Sequence, residues 1–127
     1  DHTTSENIRH TKKFVVVLPS EDQKKTALDL GSVHGRDVGN KLQIKDVKTE
    51  KSQKFGLDVM SGSLSYFECE LQDEMLFEEK GICLSKVVNV YVKDDSWDDK
   101  EECFNPGFKR TLHHVTGSTF CSGGELD

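Results

Sequence analysis

The sequence predicts a mainly β (α+β) fold: an antiparallel sheet or small barrel or sandwich, one short N-terminal helix, and two disulfides. Three observations carry this. Apolar and polar residues alternate from Lys41 onward, the period of half-buried antiparallel strands. One helical stretch with a capping signal, near Ser20, precedes them. Four cysteines, Cys69, Cys83, Cys103 and Cys121, all lie in the second half of the chain.

Residues 1–13 (DHTTSENIRHTKK) are polar and aperiodic and read as a flexible tail. Residues 14–127 read as a single disulfide-linked, β-rich domain. Phe14 to Leu18 is a continuous valine-rich run, a buried strand by composition, ended by Pro19. Ser20 and Gln23 have capping-box spacing, with Glu21 and Asp22 in the first turn. A helix over roughly 21–30 follows, with Ala27, Leu28 and Leu30 as its apolar patch and Gly31 at its end. Gly31, Gly35 and Gly39 mark a loop to Asn40, without the βαβ context of a dinucleotide fingerprint. Leu42 and Ile44; Phe55, Leu57 and Val59; and Leu64 and Tyr66 then alternate with their neighbours. Leu84, Val88, Val90 and Val92 share one face of a long strand, with Asn89, Tyr91 and Lys93 opposite, and Phe108 and Leu112 share another. Ser61-Gly62-Ser63, Glu79-Lys80-Gly81 and Asn105-Pro106-Gly107 are the turn signals.

The chain has 127 residues and 14.3 kDa, so its compact surface should be near ~6,800 Å², about a third of the unfolded value. Only 34% of residues are apolar and 31% are charged, which permits one modest core. The longest apolar run is too short to span a membrane as a helix. The cysteine spacings of 14, 20 and 18 match neither a zinc knuckle nor a Cys-x-x-Cys redox pair. An even cysteine set and a first residue, Asp1, that fits a processed chain point to a secreted protein. Sequential pairing, Cys69 with Cys83 and Cys103 with Cys121, closes loops worth about 3 kcal/mol each. No Asn-x-Ser/Thr acceptor occurs.

Residues 1–60 hold 11 basic and 9 acidic side chains; residues 61–127 hold 6 and 14. The nets of +2 and −8 sum to the overall −6. One acidic block runs from Glu68 to Glu79. The other comprises Asp94, Asp95, Asp98, Asp99, Glu101 and Glu102 around Trp97. Such a field repels nucleic acid and anionic membrane and attracts a basic partner. The second block, with Trp97 as an aromatic anchor, is the candidate binding surface. It lacks the spacing of an EF-hand loop, and no cofactor or metal is expected.

The layout is similar to the cystatin superfamily: helix first, antiparallel sheet after, four cysteines in the C-terminal half. Phe55-Gly56-Leu57-Asp58-Val59 ahead of Cys69 resembles the strand those proteins place before their first cysteine. The Gln-x-Val-x-Gly loop of the inhibitors is absent, since Gln53-Lys54-Phe55-Gly56 is one residue short and lacks the valine. Ser96 precedes Trp97 where the inhibitors carry proline.

Catalytic constellations are harder to find. His113 and His114 are adjacent on a strand and point to opposite faces, so they cannot chelate one metal together. A small secreted nuclease or hydrolase could draw on His34, Glu68 or Glu70, Arg110, and His113 or His114, but no defensible spacing joins them. The expectation is a monomeric, secreted, non-enzymatic protein that inhibits or sequesters a basic extracellular protein: a protease, a cytokine-like mediator or an immune factor. A small-ligand carrier is the third reading.

Overall fold

A computed structural model describes residues 3–32, 47–105 and 107–123, and of residue 94 its backbone only. The predicted Leu42–Ile44 strand, most of the glycine loop, His2, His34 and Pro106 lie outside these residues. The architecture is mainly β with a few helices, and all the described ladders are antiparallel. No described helix is long and apolar enough to cross a membrane.

Helix α1 (Thr3–Thr11) occupies the stretch expected to be a flexible tail. It buries no residue, so apolar periodicity could not reveal it. Charge holds it instead: Arg9 pairs with Glu78 at 2.8 Å and covers the Phe77 ring at 5.3 Å, and Lys12 pairs with Glu74. Strand β1 (Lys13–Leu18) follows. After Pro19 a 3₁₀ turn, Glu21–Gln23, leads into α2 (Lys24–Ser32), close to the predicted helix. The Gln23 arm of the capping box forms, with the Ser20 amide donating to Gln23 Oε1 at 3.0 Å. Gln23 also accepts from Ser63 and donates to the Ser61 carbonyl, tying the helix start to a distant turn.

Strands β2 (Thr49–Lys51) and β3 (Asp58–Met60) pair with each other. Strand β4 (Ser65–Leu71) is central in a sheet of order β1-β4-β5, where β5 is Ser85–Val92. Helix α3 (Glu74–Lys80) joins β4 to β5 where a hairpin turn was expected. Asp73 caps its start by accepting from the Leu76 amide, and Gly81, at φ 67°, closes its end in the left-handed conformation. Two short ladders complete the described chain: β6 (Trp97–Asp98) with β7 (Cys103–Phe104), and β8 (Leu112–Thr116) with β9 (Thr119–Ser122).

The central strand β4 is buried on both faces, but several valines beside it are half-exposed. A bulge between Glu68 and Cys69 puts Val87, not Val88, on the same face as Val90. That face carries the row Val16–Phe67–Val90, with Val16 49% and Val90 51% exposed. The other face holds Tyr66 and Glu68, both fully buried, beside Tyr91 and Asn89. Tyr66 stacks on Tyr91 at 4.7 Å. The Glu68 carboxylate accepts from the amides of Lys54 and Phe55 and from Asn89 Nδ2 at 2.7–3.0 Å. Burial pushes this carboxyl up, but these bonds outweigh it and hold the group below its ordinary value. The total surface is 8717 Å², above the ~6,800 Å² of a compact chain of this mass.

All four cysteines are unpaired, which corrects the expectation of two disulfides. Cys69 is buried in β4, and burial, with Cys83 nearby, pushes its thiol up. Cys103 and Cys121 lie on separate ladders and are exposed. Thiol titration of the denatured, unreduced chain should therefore give four equivalents. In the native chain three should react quickly and Cys69 slowly. A value of zero would restore the paired-cysteine reading.

Candidate functional site

Helix α2 and the β8–β9 hairpin face each other across a cleft of about 390 Å³. Ala27, Leu28, Gly31 and Ser32 form the helix wall; their spacing puts them on one helical face. His114, Gly117 and Phe120 form the hairpin wall. The hairpin is held against the start of α2 by backbone bonds, Glu21 N–H to the Arg110 carbonyl and Leu112 N–H to the Pro19 carbonyl. Lys109 reinforces this by pairing with Asp22 at 2.5 Å. Burial raises the Asp22 carboxyl, but Lys109 and Ser20 outweigh it, so the group sits below its ordinary range.

Two glycines keep the cleft open. A Cβ on Gly31 or Gly117 would meet nothing within 4 Å. Gly117 also has φ +51°, so the hairpin turn itself favours glycine there. Phe120 lies against His114, ring centroids 4.9 Å apart, with the Lys24 ammonium 5.7 Å from its ring centre. His114 Nε2 is 3.0 Å from the Gly117 carbonyl. A carbonyl only accepts, so Nε2 carries the hydrogen and the tautomer of the neutral ring is set. The walls thus offer apolar surface, one aromatic ring and one oriented imidazole, suited to a flat, largely apolar molecule.

The acidic segment expected to bind a partner sits elsewhere. Asp95, Asp99, Glu101 and Glu102 are exposed, while Asp98 is half-buried and accepts from the amides of Lys100 and Glu101. Trp97 is half-buried, edge-on to Phe104 at 5.4 Å. The Asp94 side chain lies outside the described residues. The His113 ring lies 2.8 Å from the Thr111 hydroxyl, and no described cluster of three His, Cys, Asp or Glu could hold a metal. Sequence reasoning treated His113 and His114 as one pair and so missed His114 with Phe120. Their spacing across a Thr-Gly hairpin was the available signal.

The model of the flavin reductase like domain family matches residues 1–115. The uncharacterized protein YddH of Escherichia coli (strain K12) is 27% identical over 124 residues, covering 96% of this chain and 65% of that protein. This chain therefore spans about two thirds of that relative's length. Among solved structures, an FMN-binding domain of a flavin reductases-like enzyme from Shewanella baltica OS155 superposes with TM-score 0.79 at 23% identity, over 99% of this chain and 68% of that one. The flavoredoxin of Desulfovibrio vulgaris (Miyazaki F) gives 0.77 at 13% identity, over 98% and 66%. At these identities the structures establish the fold.

These findings correct several expectations. The cystatin likeness was one of layout alone, a helix ahead of strands, which unrelated folds share. The secreted location rested on paired cysteines, and they are free. The non-enzymatic inhibitor, and with it the nuclease and carrier alternatives, gives way to the flavin reductase-like family. With 115 of its 127 residues matched, the chain belongs to the flavin reductase-like domain family.

Proposed function

We propose that this chain is a flavin-binding domain of an oxidoreductase, with the flavin ring seated in the cleft between α2 and the β8–β9 hairpin. The described ladders are, on this reading, staves of a split barrel. The observation that carries the proposal is the cleft itself, on a chain of this family. Its volume of about 390 Å³ lies within the range of small-molecule sites. Phe120 offers a face for stacking, Ala27 and Leu28 an apolar floor, and Gly31 and Gly117 leave room for a flat ring.

The fit is one-sided. The ring system suits these walls, but no described wall residue is a lysine or arginine able to hold a phosphate. A bound flavin would supply a ring that takes up and returns two electrons. The chain's own part is to bind that ring, orient it, and shield one face from water. His114 would be the group to hold or move a proton, through Nδ1, because Nε2 is engaged.

Titration with FMN, followed by flavin fluorescence, should show saturable binding. Phe120→Ala should weaken it about threefold to tenfold, the worth of one aromatic contact. Absence of binding up to about 1 mM FMN, near −4 kcal/mol, would sink the proposal.

A further inference from the structure

We infer that the chain has a second ligand site, distinct from the cleft: a cavity of about 300 Å³ beside α2 that takes the phosphate group of a small phosphomonoester. This does not depend on where a flavin binds. Lys48 and Lys109 stand on its walls with Gln23, Thr26 and Met60, so three separate stretches of chain meet there. Gln23 and Thr26 are three residues apart and share a face, turned away from the Ala27, Leu28 and Gly31 wall of the cleft.

The walls are pinned to one another. Gln23 Nε2 donates to the Ser61 carbonyl at 2.8 Å, and the Ser61 amide donates to the Lys48 carbonyl at 2.9 Å. The backbone of Lys48 is thereby fixed to the same turn as the start of α2. Its side chain is exposed and forms no ion pair among the described residues. Lys109 pairs with Asp22 Oδ2 at 2.5 Å, which engages one of its three ammonium hydrogens. Asp22 also lines the cavity, but Ser20 donates to its other oxygen, so both oxygens are engaged. Two lysines and one aspartate leave the walls at a net +1, on a chain whose overall charge is −6. A phosphate has three terminal oxygens, enough to meet both ammoniums and the Thr26 hydroxyl together, where a carboxylate has two. Met60 offers apolar surface to the carbon part of an ester. The volume is at the low end for small-molecule sites and so limits the ligand's size.

Calorimetric titration at fixed ionic strength, with glycerol phosphate, glycerol and inorganic phosphate as probes, tests this. Glycerol phosphate should bind with a Kd of about 1 mM or tighter, inorganic phosphate at least about threefold more weakly, and glycerol not at all. Lys48→Met should weaken glycerol phosphate about tenfold, the size of one charge-assisted hydrogen bond, without lowering the melting temperature. Lys86→Met removes the same charge from an exposed lysine of β5 that does not line the cavity, and should change binding less than about twofold. No binding of glycerol phosphate up to about 10 mM would overturn the inference. Equal losses in Lys48→Met and Lys86→Met would overturn it too, since only the overall charge would then matter. Inorganic phosphate binding as tightly as the ester would overturn the assignment of the ligand as an ester.

Discussion

Tyr66→Ala is expected to lose about 4 kcal/mol of stability, a large part of the total for a domain of this size. Tyr66 is 0% exposed, so truncation removes a fully buried ring. The stack on Tyr91, at 4.7 Å and 11° between planes, is lost as well. The hydroxyl donates to the Met60 carbonyl at 2.9 Å and accepts from the Ser63 amide at 3.1 Å, so two backbone groups lose their partner. Tyr66→Phe isolates that last part and should cost only about 1–2 kcal/mol. Urea unfolding of both variants tests the ordering. A loss below about 1.5 kcal/mol in Tyr66→Ala would mean the site collapses around the missing ring.

Glu68→Ala should cost about 3 kcal/mol, because it strands donors in the interior. Lys54 N–H, Phe55 N–H and Asn89 Nδ2 all converge on this one carboxylate, which is 0% exposed. Glu68→Gln keeps the shape but turns one acceptor into a donor facing donors, and should cost about 2 kcal/mol. The pH dependence has a definite sign. The folded-state carboxyl lies below the usual glutamate value of 4.5, so the folded chain prefers the ionised form. Its contribution is complete above about pH 4.5 and is lost as pH falls through the lower folded value. Glu68→Gln should therefore flatten the fall of stability between about pH 5 and pH 3. An unaltered acid profile in that variant would show that other carboxylates carry the effect, with Glu50 and Asp22, both also held low, as the nearest suspects.

Some of the molecule was legible from local pattern. Strand β1 and helix α2 lie close to where composition and the Ser20–Gln23 signal put them. Helix α3 was not read, because its apolar residues Met75, Leu76 and Phe77 are consecutive and set no period, though Asp73 and Gly81 were sound end markers. Val88 was grouped with Val90 because strict alternation cannot register a bulge, which puts Val87 there instead. The cleft was illegible for another reason. Its walls come from residues 27–32 and 114–120, some eighty positions apart, and neither segment has a motif of its own. The cysteine count misled because number and spacing speak to compartment only when the thiols meet, and here they do not bond.

The uncovered row Val16–Phe67–Val90 has a colloidal consequence. It lies on a sheet whose outer strands, β1 and β5, have no further strand beside them among the described residues. Apolar attraction and strand edges without a partner among the described residues therefore act together. At pH 7 the net charge of −6 opposes close approach between copies. Near the isoelectric point, about 5.3, that repulsion vanishes while the apolar row is unchanged, and sulfate or phosphate would add to its pull. Dilute, mildly alkaline, chloride-based buffers are where this chain should stay dispersed.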